Sequence, residues 1–196
     1  MRYLGIDLSL NRTGWFIFDE DKMKVLDYGA IETNKMNETD KLMLIYNTID
    51  KICKQYKPNG CGIEKEFVGN NAQTALKLGH CHGAIMVALK LNYIPFTYYS
   101  VMTLKMQTVP DLKLTDENKK RKKGDDLKIE VQNEIYKIFG KQQFTKAHLT
   151  DETDAASAAY VYYKTKGVDI DNVKKQLEKE EKKKKKKALM KKVKSS

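Results

Sequence analysis

Hydrophobic positions along this chain switch between a two-residue and a three-to-four-residue period, and the switches mark its elements. Tyr3-Leu4-Gly5-Ile6-Asp7 is a short apolar run that predicts a buried strand over 2–7. Ser9 to Gly14 supplies a turn, Trp15-Phe16-Ile17-Phe18 a second strand, and Lys24 to Ile31 a third, with Asp19-Glu20-Asp21 turning between them. Leu42, Ile45, Ile49, Ile52 and Tyr56 then recur at helical spacing and predict a helix over 39–56, ended by Pro58-Asn59-Gly60. Cys61-Gly62-Ile63-Glu64 reads as a short buried strand. Asn71 is a candidate cap for a helix over 72–91, with Ala75, Leu76, Gly79, Gly83 and Val87 among its packing positions. Pro95 to Tyr99 returns to strand, 100–109 suits a short helix, and 110–126 is a polar, charged loop. Helical patterning resumes near Leu127–Phe139 and Leu149–Lys164, and beyond Gly167 the chain turns to Lys and Glu.

Three strands, helix, strand, helix, strand and then helices predict an α/β fold, a mixed sheet flanked by helices. The expected organisation is one domain over 1–167, carrying the basic loop 110–126, and a Lys-rich flexible tail over 168–196.

Composition adds three constraints. With 41% hydrophobic residues the chain can bury a core, and it has no apolar run of the length a membrane helix needs. The start lacks the order of a secretory signal, and Cys53, Cys61 and Cys81 form no C-x-x-C pair, so free thiols in a reducing cytoplasm are expected. The net charge of +11 is uneven: residues 172–196 hold twelve Lys against three Glu, so the tail contributes +9 of it. Such a tail favours a polyanionic partner, nucleic acid before an anionic membrane surface; its bland reading is a solvated extension.

The candidate chemistry lies in four acids. Asp7 and Glu64 each end an apolar strand run, where a carboxylate needs a reason. Neighbouring strand-end carboxylates repel and raise each other's pKa unless a cation neutralises them. Asp151 and Asp154 share one helix face, continued by the small Ala155 and Ala158, so the helix could lie close to the sheet and bring both acids to the others. An all-carboxylate set suits Mg²⁺ or Mn²⁺ better than zinc, and two such ions can clamp an in-line phosphoryl displacement. Singly, each acid also has an ordinary reading: a helix first-turn acid, a turn cap, a lysine partner.

Three stretches resemble the RuvC-like Holliday junction resolvases: Leu4-Gly5-Ile6-Asp7 with Ser9 and Thr13-Gly14-Trp15; Ile63-Glu64-Lys65-Glu66-Phe67 with Asn70-Asn71-Ala72, Ala75-Leu76-Lys77-Leu78-Gly79 and Gly83; and Asp151-Glu152-Thr153-Asp154-Ala155. The resemblance implies an RNase H-like fold, a homodimer, and paired nicks across four-way DNA junctions with Mg²⁺ or Mn²⁺, two ions per site. It implies that Asp7, Glu64, Asp151 and Asp154 are both catalytic and metal-binding, that Phe67 meets bases near the junction centre, and that Lys128 and Lys105 contact DNA. Lys119, Lys120, Arg121, Lys122 and Lys123 in the charged loop are further candidate phosphate contacts. The Asp-Pro-Gly of bacterial members is missing after Asp7, the loop 110–126 is longer, and the Lys-rich tail is not a family feature. These departures look like a phage-encoded relative acting in a host cytoplasm, and they weigh against RuvA/RuvB-type partners.

Other readings stay open at this stage. The same nuclease could act on flaps, forks or RNA-containing substrates, or the chain could be a non-catalytic basic DNA-binding protein. His80-Cys81-His82 is not expected to bind zinc, because adjacent helical residues point apart. The Gly79/Gly83 spacing suits either close packing on the chain's own sheet or close approach across a dimer axis.

Overall fold

The structure is a computed structural model, and it describes residues 1–65, 71–110, 112, 124–146, 150–179 and 182. Its elements are β1 (Arg2–Asp7), β2 (Arg12–Asp19), β3 (Lys24–Glu32), α1 (Glu38–Tyr56), β4 (Gly60–Lys65), α2 (Ala72–Leu91), β5 (Phe96–Ser100), α3 (Val101–Thr108), α4 (Gly124–Phe139) and α5 (Thr150–Thr165). The five strands form one sheet in the order β3-β2-β1-β4-β5. β2 runs antiparallel to both β1 and β3, whereas β4 is parallel to β1 and β5 is parallel to β4. The short turns after β1 and β2 permit only antiparallel return, and the helices α1 and α2 supply the crossovers that parallel pairing requires.

Strand alternation divides the core in two. Leu4, Ile6, Cys61 and Ile63 face one side and pack with Ile45, Ile49 and Ile52 of α1 and Cys81, Ile85 and Leu89 of α2. Tyr3, Phe16, Phe18 and Tyr99 face the other side and pack with Val131, Ile135 and Phe139 of α4 and with Ala155, Ala158, Ala159 and Tyr162 of α5. The amphipathic α1 therefore covers one face while α5, rich in small residues, lies flat on the other.

Two glycines set how flat. A Cβ on Gly5 of β1 would come 1.8 Å from the carbonyl oxygen of Ala155, and one on Gly62 of β4 would come 2.0 Å from that of Ala158. The backbone of α5 thus rests directly on the two central strands, which no other residue type at these positions allows.

The expected helix starts and ends largely hold. Asn71 caps α2 by accepting from the N–H groups of Gln73 and Thr74 at 3.0 and 3.2 Å. Asn37 caps α1 by accepting from Asp40 N, and Lys57 closes it in the left-handed region at φ 49°. Two expectations are corrected. The segment read as loop 110–126 already turns helical at Gly124, where α4 begins; its acidic first turn, Asp125 and Asp126, suits a helix start. The tail expected to be flexible from 168 is helical over 170–179 and fastened to the body. Asp169 caps that stretch by accepting from Asn172 N at 2.9 Å, and Asp171 accepts from Ser100 N at 2.7 Å and from the Ser100 and Thr103 hydroxyls at the start of α3. Cys53, Cys61 and Cys81 are free and buried, and no helix among the described residues is long and apolar enough to cross a membrane.

Candidate metal centre and nucleic-acid interface

Asp7, the last residue of β1, and Glu64, the last but one of β4, share the side of the sheet that α5 covers. Asp7 has the same strand parity as Gly5, and Glu64 the same parity as Gly62, and both glycines lie under α5. The parallel register pairs Ile6 with Ile63, so Asp7 and Glu64 sit one step beyond that pair on strands about 4.8 Å apart. Across the other edge of β1, Asp7 pairs with Gly14, and a Cβ on Gly14 would meet the Asp151 carbonyl oxygen at 2.4 Å. Asp151 therefore sits above the strand next to Asp7, and Asp154 follows one helical turn later on the same face.

Electrostatics confirm the proximity of the four acids. Burial pushes the Asp7 carboxyl well above the usual carboxylate range, and Glu64, Asp154 and Asp151 push it further; Lys128 opposes them. Burial also raises Asp154, while Lys128 and Lys105 pull it back down. Lys128 Nζ lies 3.2 Å from Asp154 Oδ2. Burial would lower the Lys128 ammonium, but Asp154, Asp7 and Glu64 outweigh it and hold the pKa above normal.

Arg12 is the neighbour that sequence reasoning passed over. It stands at the end of the β1–β2 turn, where the Ser9 hydroxyl accepts from Arg12 N at 3.1 Å and donates to Arg12 O at 2.8 Å. Its guanidinium bonds Asp151 Oδ2 at 2.6 Å, Glu32 Oε1 at 2.7 Å and both carboxylate oxygens of the buried Glu152. The Glu152 bond, followed by those to Asp151 and Glu32, raises the Arg12 pKa against the opposing effect of burial. Arg12 and Lys128 thus each neutralise one of the four acids. Among the described residues no three acidic, imidazole or thiol groups already converge as a ready-made cation cage.

The donor set nonetheless fits a divalent cation. A buried carboxylate whose neighbours are three more carboxylates is a charge cluster that a hard, oxygen-seeking ion would relieve. Of the residues expected to meet DNA, Lys105 and Lys128 lie beside Asp154. Phe67 and Lys119, Lys120, Arg121, Lys122 and Lys123 fall outside the described residues. Gly79 and Gly83 do not pack on their own sheet: among the described residues nothing lies within 4 Å of a Cβ built on either. They belong to an exposed apolar stripe on α2 with Leu76, Met86, Val87 and Leu91. His82 is half-buried beside Tyr98, with ring centroids 5.3 Å apart, whereas His80 is exposed and bonded to Glu38.

Comparison with known proteins agrees with this geometry. Residues 3–120 match the family described as "Crossover junction endodeoxyribonuclease RuvC". A protein of that name from Fusobacterium nucleatum is 31% identical over 170 residues, covering 85% of this chain and 82% of the relative. Another, from Rickettsia felis, is 43% identical over 89 residues, covering 44% of this chain and 57% of the relative. Among solved structures, Thermus thermophilus RuvC superposes with a TM-score of 0.68 at 18% identity, covering 85% of this chain and 98% of that one. The structure titled "T. thermophilus RuvC in complex with Holliday junction substrate" gives 0.67 at 19% identity, over 84% and 96%. The mixed five-stranded sheet with flanking helices is therefore the RNase H-like fold.

Proposed function

The chain belongs to the RuvC family of crossover junction endodeoxyribonucleases, and on that premise we propose that it cuts four-way DNA junctions by paired nicks, using Asp7, Glu64, Asp151 and Asp154 to hold two Mg²⁺ or Mn²⁺ ions. The family is one of metal-dependent nucleases. The observation that carries the site assignment is the placement of Asp7 and Glu64 on adjacent strands, on the side covered by α5, whose first turn brings Asp151 and Asp154 over them through the glycine-floored contact. Bound metal supplies an activated water and charge stabilisation for in-line phosphoryl transfer.

The chain's own residues do the rest. Asp7 and Glu64 fix one side of the site from rigid strand ends, and Asp151 and Asp154 close it from α5. Lys128 and Lys105 stand where a scissile phosphate would approach, and Lys128 would exchange Asp154 for the phosphate as the acids turn to metal. Arg12 anchors Asp151 and Glu152 and so holds the first turn of α5 in place. Phe67 follows Glu64 by three residues and is assigned to bases near the junction centre, with Lys119 to Lys123 on phosphates of the arms. A second copy docks on the exposed stripe of α2, which gives two active sites related by two-fold symmetry for two opposed nicks.

The test is cleavage of labelled four-way junctions, forks and duplexes with and without Mg²⁺ by the wild-type chain and by Asp7→Asn. The substitution keeps shape and removes charge. Cutting should fall by several orders of magnitude while junction binding survives. Wild-type cutting rates in Asp7→Asn would overturn the site, and preferential cutting of forks or flaps would overturn the junction substrate.

A further inference from the structure

The helical stretch 170–179 leaves the body in a fixed direction. Thr97 Oγ1 donates to Gly167 O at 2.6 Å, and the Tyr99 and Thr165 hydroxyls bond at 2.7 Å. Beyond them, Asp171 is tied to Ser100 and Thr103. These bonds run along β5 and its exit into α3, so the first turn of the helix is held against the C-terminal end of the sheet. A cleft of about 230 Å³ lies there, lined by Lys65, Tyr98, Asp169, Asp171, Asn172 and Lys175. Lys65 is the last residue of β4, next to Glu64 but on the opposite side of the strand.

The polar groups of this cleft are unequally employed. Its two carboxylates are taken up, Asp169 in capping the helix and Asp171 in the bonds to α3. Lys65 and Lys175 are both exposed, and neither is ion-paired to another described residue. Tyr98 forms the floor, its hydroxyl buried, while the Asn172 side chain at the rim is exposed. Lys174 adds its charge close to Asp171, and the chain that follows carries most of the protein's positive excess.

We propose that this cleft binds the phosphodiester backbone of a DNA arm, with Lys65 and Lys175 as its cations and the exposed Asn172 amide as a neutral donor. The proposal rests on the junction-nuclease reading and extends it. The tail is not a loose cloud of charge. Its first turns form a docked element in which Asp171 acts as a positioning residue, presenting the lysines in register with the end of β4. A DNA strand lying in the cleft would pass one residue from Glu64, so the element would orient an arm relative to the cutting site.

The experiment measures affinity of the full chain for a four-way junction across a salt series, in Ca²⁺ to suppress cutting. The variants are Lys65→Ala/Lys175→Ala, the charge-keeping Lys65→Arg/Lys175→Arg, and Asp171→Ala, each checked by thermal melting. Each phosphate contact contributes roughly 0.9 to the log–log salt slope, so the alanine pair should flatten it by about 1 to 2 and the arginine pair should restore it. Asp171→Ala removes a negative charge from beside the DNA path, so a loose tail would bind more tightly. Docking predicts the opposite, a several-fold weaker complex. An unchanged slope in the alanine pair, or tighter binding by Asp171→Ala, overturns the proposal. Wild-type junction cutting in Mg²⁺, measured alongside, reports on the nuclease reading separately.

Discussion

The guanidinium of Arg12, at the start of β2, is bound to the carboxylate of Glu152, at the start of α5 and 140 residues later in the chain. Glu152 is only 2% exposed, so this is a buried charge with its partner supplied from the far end of the sequence. Arg12→Ala would remove the guanidinium that holds this buried charge and should destabilise the fold by about 3–5 kcal/mol. Replacing both, as in Arg12→Met/Glu152→Leu, should recover most of that loss, because two apolar groups need no partner. Urea denaturation of the three variants checks this. A double variant as unstable as the single one would show that the pair is not the source of the loss.

The contact of α5 with the sheet gives a second prediction. Gly5→Ala places a methyl 1.8 Å from a backbone carbonyl that cannot yield as a side-chain tip would. We expect a loss of about 3 kcal/mol, at the upper end for overpacking. Cleavage should fall as well, because lifting α5 carries Asp151 and Asp154 away from Asp7. Melting temperature and junction cutting measured together test it; native values for both would mean that the helix shifts freely.

Asp27 yields a pH-dependent prediction remote from the active site. Burial raises its pKa, but bonds from Lys146, the Tyr56 hydroxyl and Tyr28 N outweigh burial and leave it below the usual carboxylate range; the same contact, after burial, holds the Tyr56 phenol up at about 12. A depressed folded pKa means stability that is fully present above the unfolded value of about 3.9 and is lost as pH falls through the lower folded value. Asp27→Asn should therefore cost roughly 1–3 kcal/mol at pH 7 and progressively less below pH 4. Parallel denaturation curves at pH 7 and pH 3 measure the difference, and a constant gap would exclude the linkage.

The stripe on α2 gives the fourth. Leu76→Glu/Val87→Glu puts two charges onto an apolar face that is already exposed, so the fold should be retained. Light scattering should drop from about twice the 22.6 kDa chain mass to that mass, as expected for a two-fold dimer split in half. A wild-type chain that is already monomeric at micromolar concentration would remove the interface.

How much of this was legible from the chain depends on how local the cause is. The cap at Asn71 and the limits of α2 follow from neighbouring residues, and structure and expectation coincide there. The acids at the ends of β1 and β4 were legible because a charge ending an apolar run stands out within five residues. Arg12 was not, since an arginine in a polar turn looks like solvated surface until α5 arrives over it. The docking of the helix at 170–179 was missed for a related reason. Its Lys and Glu content gives no packing signal, and what fastens it is Asp171 meeting Ser100 and Thr103, some seventy positions earlier. Gly79 and Gly83 showed the reverse limit: the spacing fitted two partners equally, and only the open space around them excludes the chain's own sheet.

The order in which the parts of the proposed active site leave the ribosome has its own consequence. Asp7 and Glu64 lie on strands translated early, but they acquire Asp151 and Asp154 only when α5 settles onto Gly5 and Gly62. Until then the nascent chain carries half of the proposed metal site and an uncovered sheet face, and closing it requires contacts some 140 residues apart, a slow step for any polypeptide. A DNA-cutting activity that switches on only when nearly the whole chain is in place gives truncated products of interrupted synthesis no means to damage a genome.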